Sequence, residues 1–384
     1  MRVLGLMSGT SADGVDAVLA DFQGRPEAPR WRLVSEASCA YPRELRARLL
    51  AVAQGEPTQA GVLLELSEAI TELQAQTAKA CDPEQSAELV GCHGQTIWHR
   101  PPGEGAGGVP RRGSSWQMLQ GPLLAAMLHR PVVHDFRAAD LALGGQGAPL
   151  VPMADAALMG RIDGWRALLN LGGIANLTLI PPRRGPERRQ PVLGWDCGPA
   201  NSLIDLAMSR FSDGRDQFDR EGAIAAQGHA EEGVIERWLQ EAYFQLSPPK
   251  STGRELFGQD DLTRRLHDLS HCSAEDQIAT LTSFTAAVVA QDLLHLRTRG
   301  RSLPVEMVVA GGGSRNPTLM RQLNTRCRGL RVRLSDDLNL PSQSREALVF
   351  ALLAWWHTCR HPGNAPAVTG AERTCVLGLR ADPP

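Results

Sequence analysis

The sequence predicts an α/β protein of two lobes carrying a repeated motif, and three observations predict it. At 384 residues the chain is too long for one ordinary core and suits two domains or one internally duplicated fold. A strand, a turn of small and polar residues and a second strand open it at Val3–Met7 and Val15–Phe22, and the pattern returns at Ala167–Leu171 and Ile174–Ile180 around Gly172-Gly173. Between these signals lie segments of helical period, so strands and helices mix along the whole length.

The first hairpin turns through Met7-Ser8-Gly9-Thr10-Ser11-Ala12-Asp13-Gly14. Apolar residues at helical spacing then predict a helix over Leu63–Lys79, and Glu88–Cys92 reads as a strand. Pro101–Ser115 and Pro181–Pro191, rich in Pro, Gly and Arg, read as surface loops. Gly194–Asn201 reads as the end of a strand running into a helix near Pro199, a favoured first-turn proline. Helical patterns follow over Ala223–Tyr243 and Ile278–Leu296. The apolar run Val305–Ala310 predicts a buried strand, followed by the Gly311-Gly312-Gly313 loop, a helix to Leu323 and a last helix over Ser344–Thr358.

Composition excludes several classes. Hydrophobic residues at 42% and charged residues at 21% are those of a folded globular protein, and a formal charge of -2 gives nucleic acid no purchase. The eight cysteines are scattered, with no C-x-x-C pair and no His at finger spacing, so neither a zinc site nor a redox motif is indicated and a reducing cytosol fits best. Ser8-Gly9 interrupts the N-terminal apolar run too early for a signal segment, and Ala347–Trp356 is too short to span a bilayer. The expectation is a soluble cytoplasmic protein with no membrane partner.

Phosphate chemistry is suggested by the turns. Backbone N–H groups on a tight glycine turn form a concave anion site, and the Ser8, Thr10 and Ser11 hydroxyls could add donors. Asp13 could hold Mg2+ through hard oxygen, although a plain hairpin turn has the same make-up. Gly172-Gly173 and Gly311–Gly313 offer two further places for close backbone approach. The Walker pattern and G-x-G-x-x-G after a strand are both absent.

Asp196 stands between a strand and a helix start, where it is either a base pointing into a cleft or a carboxylate complementing the helix dipole. His93–Arg100 mixes imidazole, amide, hydroxyl and indole groups suited to a sugar, with core packing of His93 as the alternative. Asp135–Asp140 and Leu143–Leu150 read as hinge or pocket wall. Pro248–Glu255 reads as pocket wall or surface turn, and holds Lys250, which with Lys79 makes up all the lysine of the chain.

Taken in order, these segments resemble the anhydro-N-acetylmuramic acid kinases of the sugar kinase, chaperone and actin superfamily. The residues that carry the resemblance are Gly5–Asp16, His93–Thr96, Asp135–Arg137, Gly144–Pro149, Asn170–Asn176, Asp196 with Gly198–Asn201, and Pro249–Gly253. It implies a two-lobed, duplicated ribonuclease-H-like (actin-like ATPase) fold with a central cleft, the lobes being 1–135, with about 360–384 packing back on it, and 136–360. Closure about 136–150 is then expected.

By that resemblance the reaction converts 1,6-anhydro-N-acetylmuramic acid, ATP and water to N-acetylmuramic acid 6-phosphate and ADP in cell-wall recycling, with Asp196 as base. It assigns ATP to Gly9, Thr10, Ser11, Ala12, Asp13, Gly14, Val15, Asp16, Gly172, Gly173, Gly311, Gly312 and Gly313, and the sugar to Gln95, Thr96, Asn176 and Glu346. It further implies Mg2+ and a homodimer. The chain departs from the family pattern at Leu119, Gln120 and Asn339–Arg345, where sugar contacts are expected. Another sugar or amino-sugar kinase of this fold, or a non-enzymatic nucleotide-dependent switch, is the alternative.

Overall fold

In the computed structural model, which describes residues 1–9, 12–105, 108–247, 250–253, 256–338, 340 and 344–384, the chain divides into two units. One is Met1–Met159 with Gln343–Pro384, the other Gly160–Ser342.

The first unit begins with the antiparallel strands β1 (Arg2–Ser8), β2 (Gly14–Arg25) and β3 (Ala28–Ala40). Helices α1 (Arg43–Ala53) and α2 (Ala60–Cys81) lead to β4 (Leu89–Arg100), which lies parallel to β1. The small hairpin β5 (Gly103–Glu104) and β6 (Pro110–Arg111) precedes β7 (Ser114–Met118), which pairs with the distal half of β4. Helix α3 (Gly121–Leu128), β8 (Val132–His134), α4 (Ala138–Ala142) and α5 (Val151–Met159) complete this segment.

The second unit repeats the plan. Strands β9 (Arg166–Leu171), β10 (Ile174–Ile180) and β11 (Leu193–Pro199) form an antiparallel meander. Helices α6 (Asn201–Phe211), α7 (Glu232–Trp238), α8 (Ala242–Gln245), α9 (Gln259–Asp268) and α10 (Ala274–Thr298) follow. Then come β12 (Glu306–Ala310), α11 (Pro317–Arg326) and β13 (Arg331–Leu334), with β12 parallel to both β9 and β13. The chain returns to the first unit through α12 (Arg345–Thr358), α13 (Pro366–Thr369) and β14 (Leu379–Ala381), which pairs with β8.

The sheet orders are β14-β8-β4-β1-β2-β3 and β11-β10-β9-β12-β13. With β5, β6 and β7 left out of the count, both units contain the order 3-2-1-4-5, an antiparallel meander continued by two parallel strands. The duplicated ribonuclease-H-like fold is present in both units. The repeated hairpin of the sequence is the first two strands of each sheet.

Helix α12 shows why the first sheet packs as it does. Its residues Ala347 through Trp356 are all buried, so the apolar run is a core helix. Gly5 of β1 and Gly91 of β4 are register partners, and both lie beneath it. A Cβ on Gly5 would stand 2.0 Å from the Ala347 carbonyl oxygen, and one on Gly91 2.2 Å from that of Phe350. Two side-by-side glycines let the helix backbone rest directly on the sheet.

Three local expectations change. Ala223–Tyr243 is not one helix: turns lead to the short α7 and α8. The Asp219 carboxylate accepts from the Ile224 and Ala225 N–H groups, and a Cβ on Gly228 would meet the Glu275 carbonyl at 2.1 Å, so a tight turn replaces the helix. The Pro101–Ser115 loop contains β5 and β6, and β4 continues well past Cys92 to Arg100. Helices α4, α5 and α12, all within the 136–360 expected for the second lobe, fall in the first unit, where α4 packs on β7 and α5 on β3 and α12. Asp140 of α4 binds the C-terminal return, accepting from Asn364 Nδ2 and Thr369 Oγ1 at 2.8 Å each.

Candidate active site

In the first unit the β1–β2 turn is braced from beneath. Thr10 and Ser11 lie outside the described residues. Ala12 takes a left-handed φ of 51° and donates its N–H to the Gly9 carbonyl at 3.1 Å. Gln95, which β4 brings beside Ser8, donates its amide to the Gly9 carbonyl at 3.0 Å and accepts from Tyr41 Oη at 3.1 Å. Tyr41 Oη also lies 3.0 Å from Ser8 Oγ, and burial pushes its phenol up to about 12, so it remains a protonated donor. Gln95 is thus a buried brace for the turn.

The remaining predicted residues of this unit have varied settings. Val15 is core, leaving only its backbone for a ligand. Asp16 is half-buried on β2, and burial pushes its carboxyl up while a Ser38 hydrogen bond opposes the shift. Asp13 is exposed and its Oδ1 accepts from Arg46 Nη2 at 2.8 Å, which does not fit it as a magnesium ligand. Thr96 Oγ1 accepts from Gln117, and Glu346 is exposed in the first turn of α12. His93 belongs to the core: it packs on Phe350, its Nδ1 meets the Gly94 carbonyl and its Nε2 accepts from Arg137. Burial, reinforced by the Arg137 charge, holds its pKa well below the ordinary value, so the imidazole is neutral.

In the second unit the two glycine loops meet. The Gly172 and Gly173 carbonyls accept from the N–H groups of Ala200, Asn201 and Ser202, tying the β9–β10 turn to the start of α6. Gly311 has φ 85°, and its Cβ would strike Asn170 and Leu171; a Cβ on Gly313 would strike Leu171. Glycine is required there for the loop to lie on the turn. A Cβ on Gly312 would meet nothing within 4 Å, so open space adjoins the junction.

Asp196 lies one strand away on β11. A register shift in the β10–β11 ladder sets Asn176 opposite Asp196 and Ala175 opposite Gly198, an irregularity of the kind that re-aims side chains. Asp196 Oδ1 accepts from Asn176 Nδ2 at 2.8 Å; Oδ2 accepts from Ser251 Oγ and the Thr252 N–H, both at 3.0 Å. A carboxylate has about four acceptor positions, so these three donors fix the group and leave one direction for a proton from outside. Its backbone is held as well, the N–H donating to the Lys250 carbonyl at 2.9 Å and the carbonyl accepting from Tyr243 Oη at 2.7 Å.

A model of the anhydro-N-acetylmuramic acid kinase family matches residues 1–382. The chain belongs to the anhydro-N-acetylmuramic acid kinase family. It is 70% identical over its whole length, and that of the relative, to the anhydro-N-acetylmuramic acid kinase of Synechococcus sp. (strain WH7803). It is 64% identical, with the same full coverage of both chains, to that of Prochlorococcus marinus (strain MIT 9303). Among solved structures, xylulose kinase from Lactobacillus acidophilus matches with a TM-score of 0.48 at 9% identity, covering 100% of this chain and 94% of that one.

Within this member of the anhydro-N-acetylmuramic acid kinase family, the predicted residues fall into two sets. Gly9, Ala12–Asp16, Gln95, Thr96 and Glu346 belong to the first unit; Gly172, Gly173, Asn176, Asp196 and Gly311–Gly313 belong to the second. Sequence reasoning did not find Tyr41, Arg46, Ser251 and Thr252 as supports. The rare Lys beside Ser-Thr-Gly was the one available signal for the last two, and it gave no partner.

Proposed function

We propose that this kinase opens 1,6-anhydro-N-acetylmuramic acid with water and phosphorylates the freed 6-oxygen, with Asp196 as the general base. The observation that carries this reading is the Asp196 carboxylate, fixed by Asn176, Ser251 and Thr252 with one acceptor direction left. Water gives one proton to Asp196 and its oxygen bonds to the anomeric carbon. The bond from that carbon to the bridging 6-oxygen breaks, and the 6-oxygen takes the γ-phosphoryl group as ADP leaves. Ionised carboxylates do such work when held within hydrogen-bond reach of the reacting proton, and phosphoryl transfer depends chiefly on positioning.

ATP is the phosphoryl donor. We assign its phosphates to the Gly9–Asp16 turn, with Gly172, Gly173 and the Gly311–Gly313 loop as further contacts; the open space beside Gly312 supports this. Mg2+ is proposed to arrive with ATP, because Asp13 is engaged by Arg46. Thr96, Asn176 and Glu346 are assigned to the sugar, while Gln95, with both ends of its amide committed internally, acts through the turn. A homodimer and a cytoplasmic setting complete the proposal; among the described residues no helix is long and apolar enough to cross a membrane.

The test is Asp196→Asn. Ring opening and phosphorylation should be lost together while calorimetric ATP affinity stays near wild type. Phosphorylation surviving in this variant would dismiss the single-base reading.

A further inference from the structure

We propose that Lys250 and Asp292 are positioning residues for Asp196, acting as a buried ion pair that fixes segment 250–253 against β11. This rests on the reading of Asp196 as the base. Lys250 Nζ lies 2.8 Å from Asp292 Oδ1, and the two side chains are 3% and 1% exposed. Asp292 is a lone acid among the buried residues of α10. Its Oδ2 accepts from Trp195 Nε1 at 2.9 Å, and its charge adds to the burial that pushes the Cys197 thiol well above its ordinary pKa. One carboxylate therefore holds Trp195 on one side of Asp196 and adjoins Cys197 on the other.

Lys250 closes the arrangement from the other side. Its carbonyl accepts the Asp196 N–H, and its ammonium sits 4.9 Å from the centre of the Tyr243 ring, whose hydroxyl donates to the Asp196 carbonyl. The next two residues, Ser251 and Thr252, supply the donors to Asp196 Oδ2. A buried charge is tolerated only when paired, so the ammonium has one place to go, and its position sets that of the donors beside it. The pair touches neither oxygen of Asp196. It acts through the loop and strand that do.

Lys250→Met alone leaves Asp292 buried without its cation and risks unfolding. The informative variant is Lys250→Met with Asp292→Asn, which removes both charges, is nearly isosteric and keeps an acceptor for Trp195. It should melt as a folded protein and bind ATP within about twofold of wild type, yet lose roughly tenfold to a hundredfold in kcat, the range expected for a misplaced catalytic group. Hydrogen exchange at the Ser251 and Thr252 amides should quicken. In a Ser251→Ala background the same double change should cost much less, because coupled residues are not additive. Unchanged kcat and exchange, or full additivity with Ser251→Ala, would overturn the proposal. Asp196→Asn run alongside separates the failures: an active Asp196→Asn enzyme removes the base and this proposal together. An inactive one beside a fully active Lys250→Met/Asp292→Asn enzyme removes this proposal alone.

Discussion

Gly5→Ala is the substitution whose cost follows most directly from the packing. The added Cβ would stand 2.0 Å from the Ala347 carbonyl oxygen, 2.8 Å from the Ala351 N and 2.9 Å from the Ala351 Cβ, whereas ordinary contact begins at 3.4 Å. Two of the three obstructing atoms are helix backbone and cannot rotate away. Helix α12 would have to lift by about 1.4 Å at that point, loosening its contact with β1, β4 and β2. Overpacking costs about 1–3 kcal/mol, and backbone obstruction puts this case at the upper end. In a unit of about 200 residues each kcal/mol lowers Tm by roughly 2–4 °C, so the first unit should melt roughly 6–12 °C lower. The assay is differential scanning calorimetry with Gly61→Ala as control, a position on α2 where a Cβ meets nothing within 4 Å and where alanine is neutral or slightly stabilising. Equal melting of Gly5→Ala and Gly61→Ala would refute the account of α12 resting on paired glycines.

Other substitutions probe the turn and the core. Tyr41→Phe removes the donor to Gln95 Oε1; a net hydrogen bond is about 0.5–1.5 kcal/mol, so the ATP dissociation constant should rise roughly threefold to tenfold in calorimetry with the fold intact, and unchanged affinity would separate the brace from nucleotide binding. His93 is neutral in the folded state and protonates far more readily once unfolded, its folded pKa lying well below 6.5. The unfolded chain therefore binds more protons below about pH 6.5, and this residue's contribution to stability is lost as pH falls through that range, by at most about 1.4 kcal/mol per pH unit. Denaturant unfolding from pH 7 to pH 5 should show a shallower loss in His93→Gln than in wild type; parallel curves would contradict the buried neutral assignment.

The hairpins were readable because their apolar runs stop at glycine turns, and β12 and α12 because each is apolar throughout. The recurring hairpin also disclosed the duplication, which the shared strand order of the two sheets bears out. Local signals failed where a distant group decides the outcome. Segment 223–243 has helical composition, but Asp219 captures two of its N–H groups and Gly228 meets Glu275, 47 residues away. His93–Arg100 did not read as strand, because the partners that make its polar residues compatible with β4 come from neighbouring strands. Asp196 lies inside β11, whose last residue is Pro199, and α6 begins only at Asn201, yet it was legible as a carboxylate near a strand-to-helix junction. Its donors Ser251 and Thr252 were not, since 55 or more residues separate them from it. Asp292 was equally silent, one acid in a long helix with nothing in the sequence to pair it with Lys250.

The central claim is that Asp196 activates water for attack at the anomeric carbon while the 6-oxygen is phosphorylated. Its most direct test is turnover of anhydro-N-acetylmuramic acid with ATP and Mg2+ in 18O-labelled water, quenched early and read by mass spectrometry, with N-acetylmuramic acid as the control substrate. The account predicts one 18O at the anomeric oxygen of the phosphorylated product and none in the phosphoryl group, with no labelled product from Asp196→Asn. Phosphorylated product with an unlabelled anomeric oxygen, or label in its phosphoryl group, would contradict it.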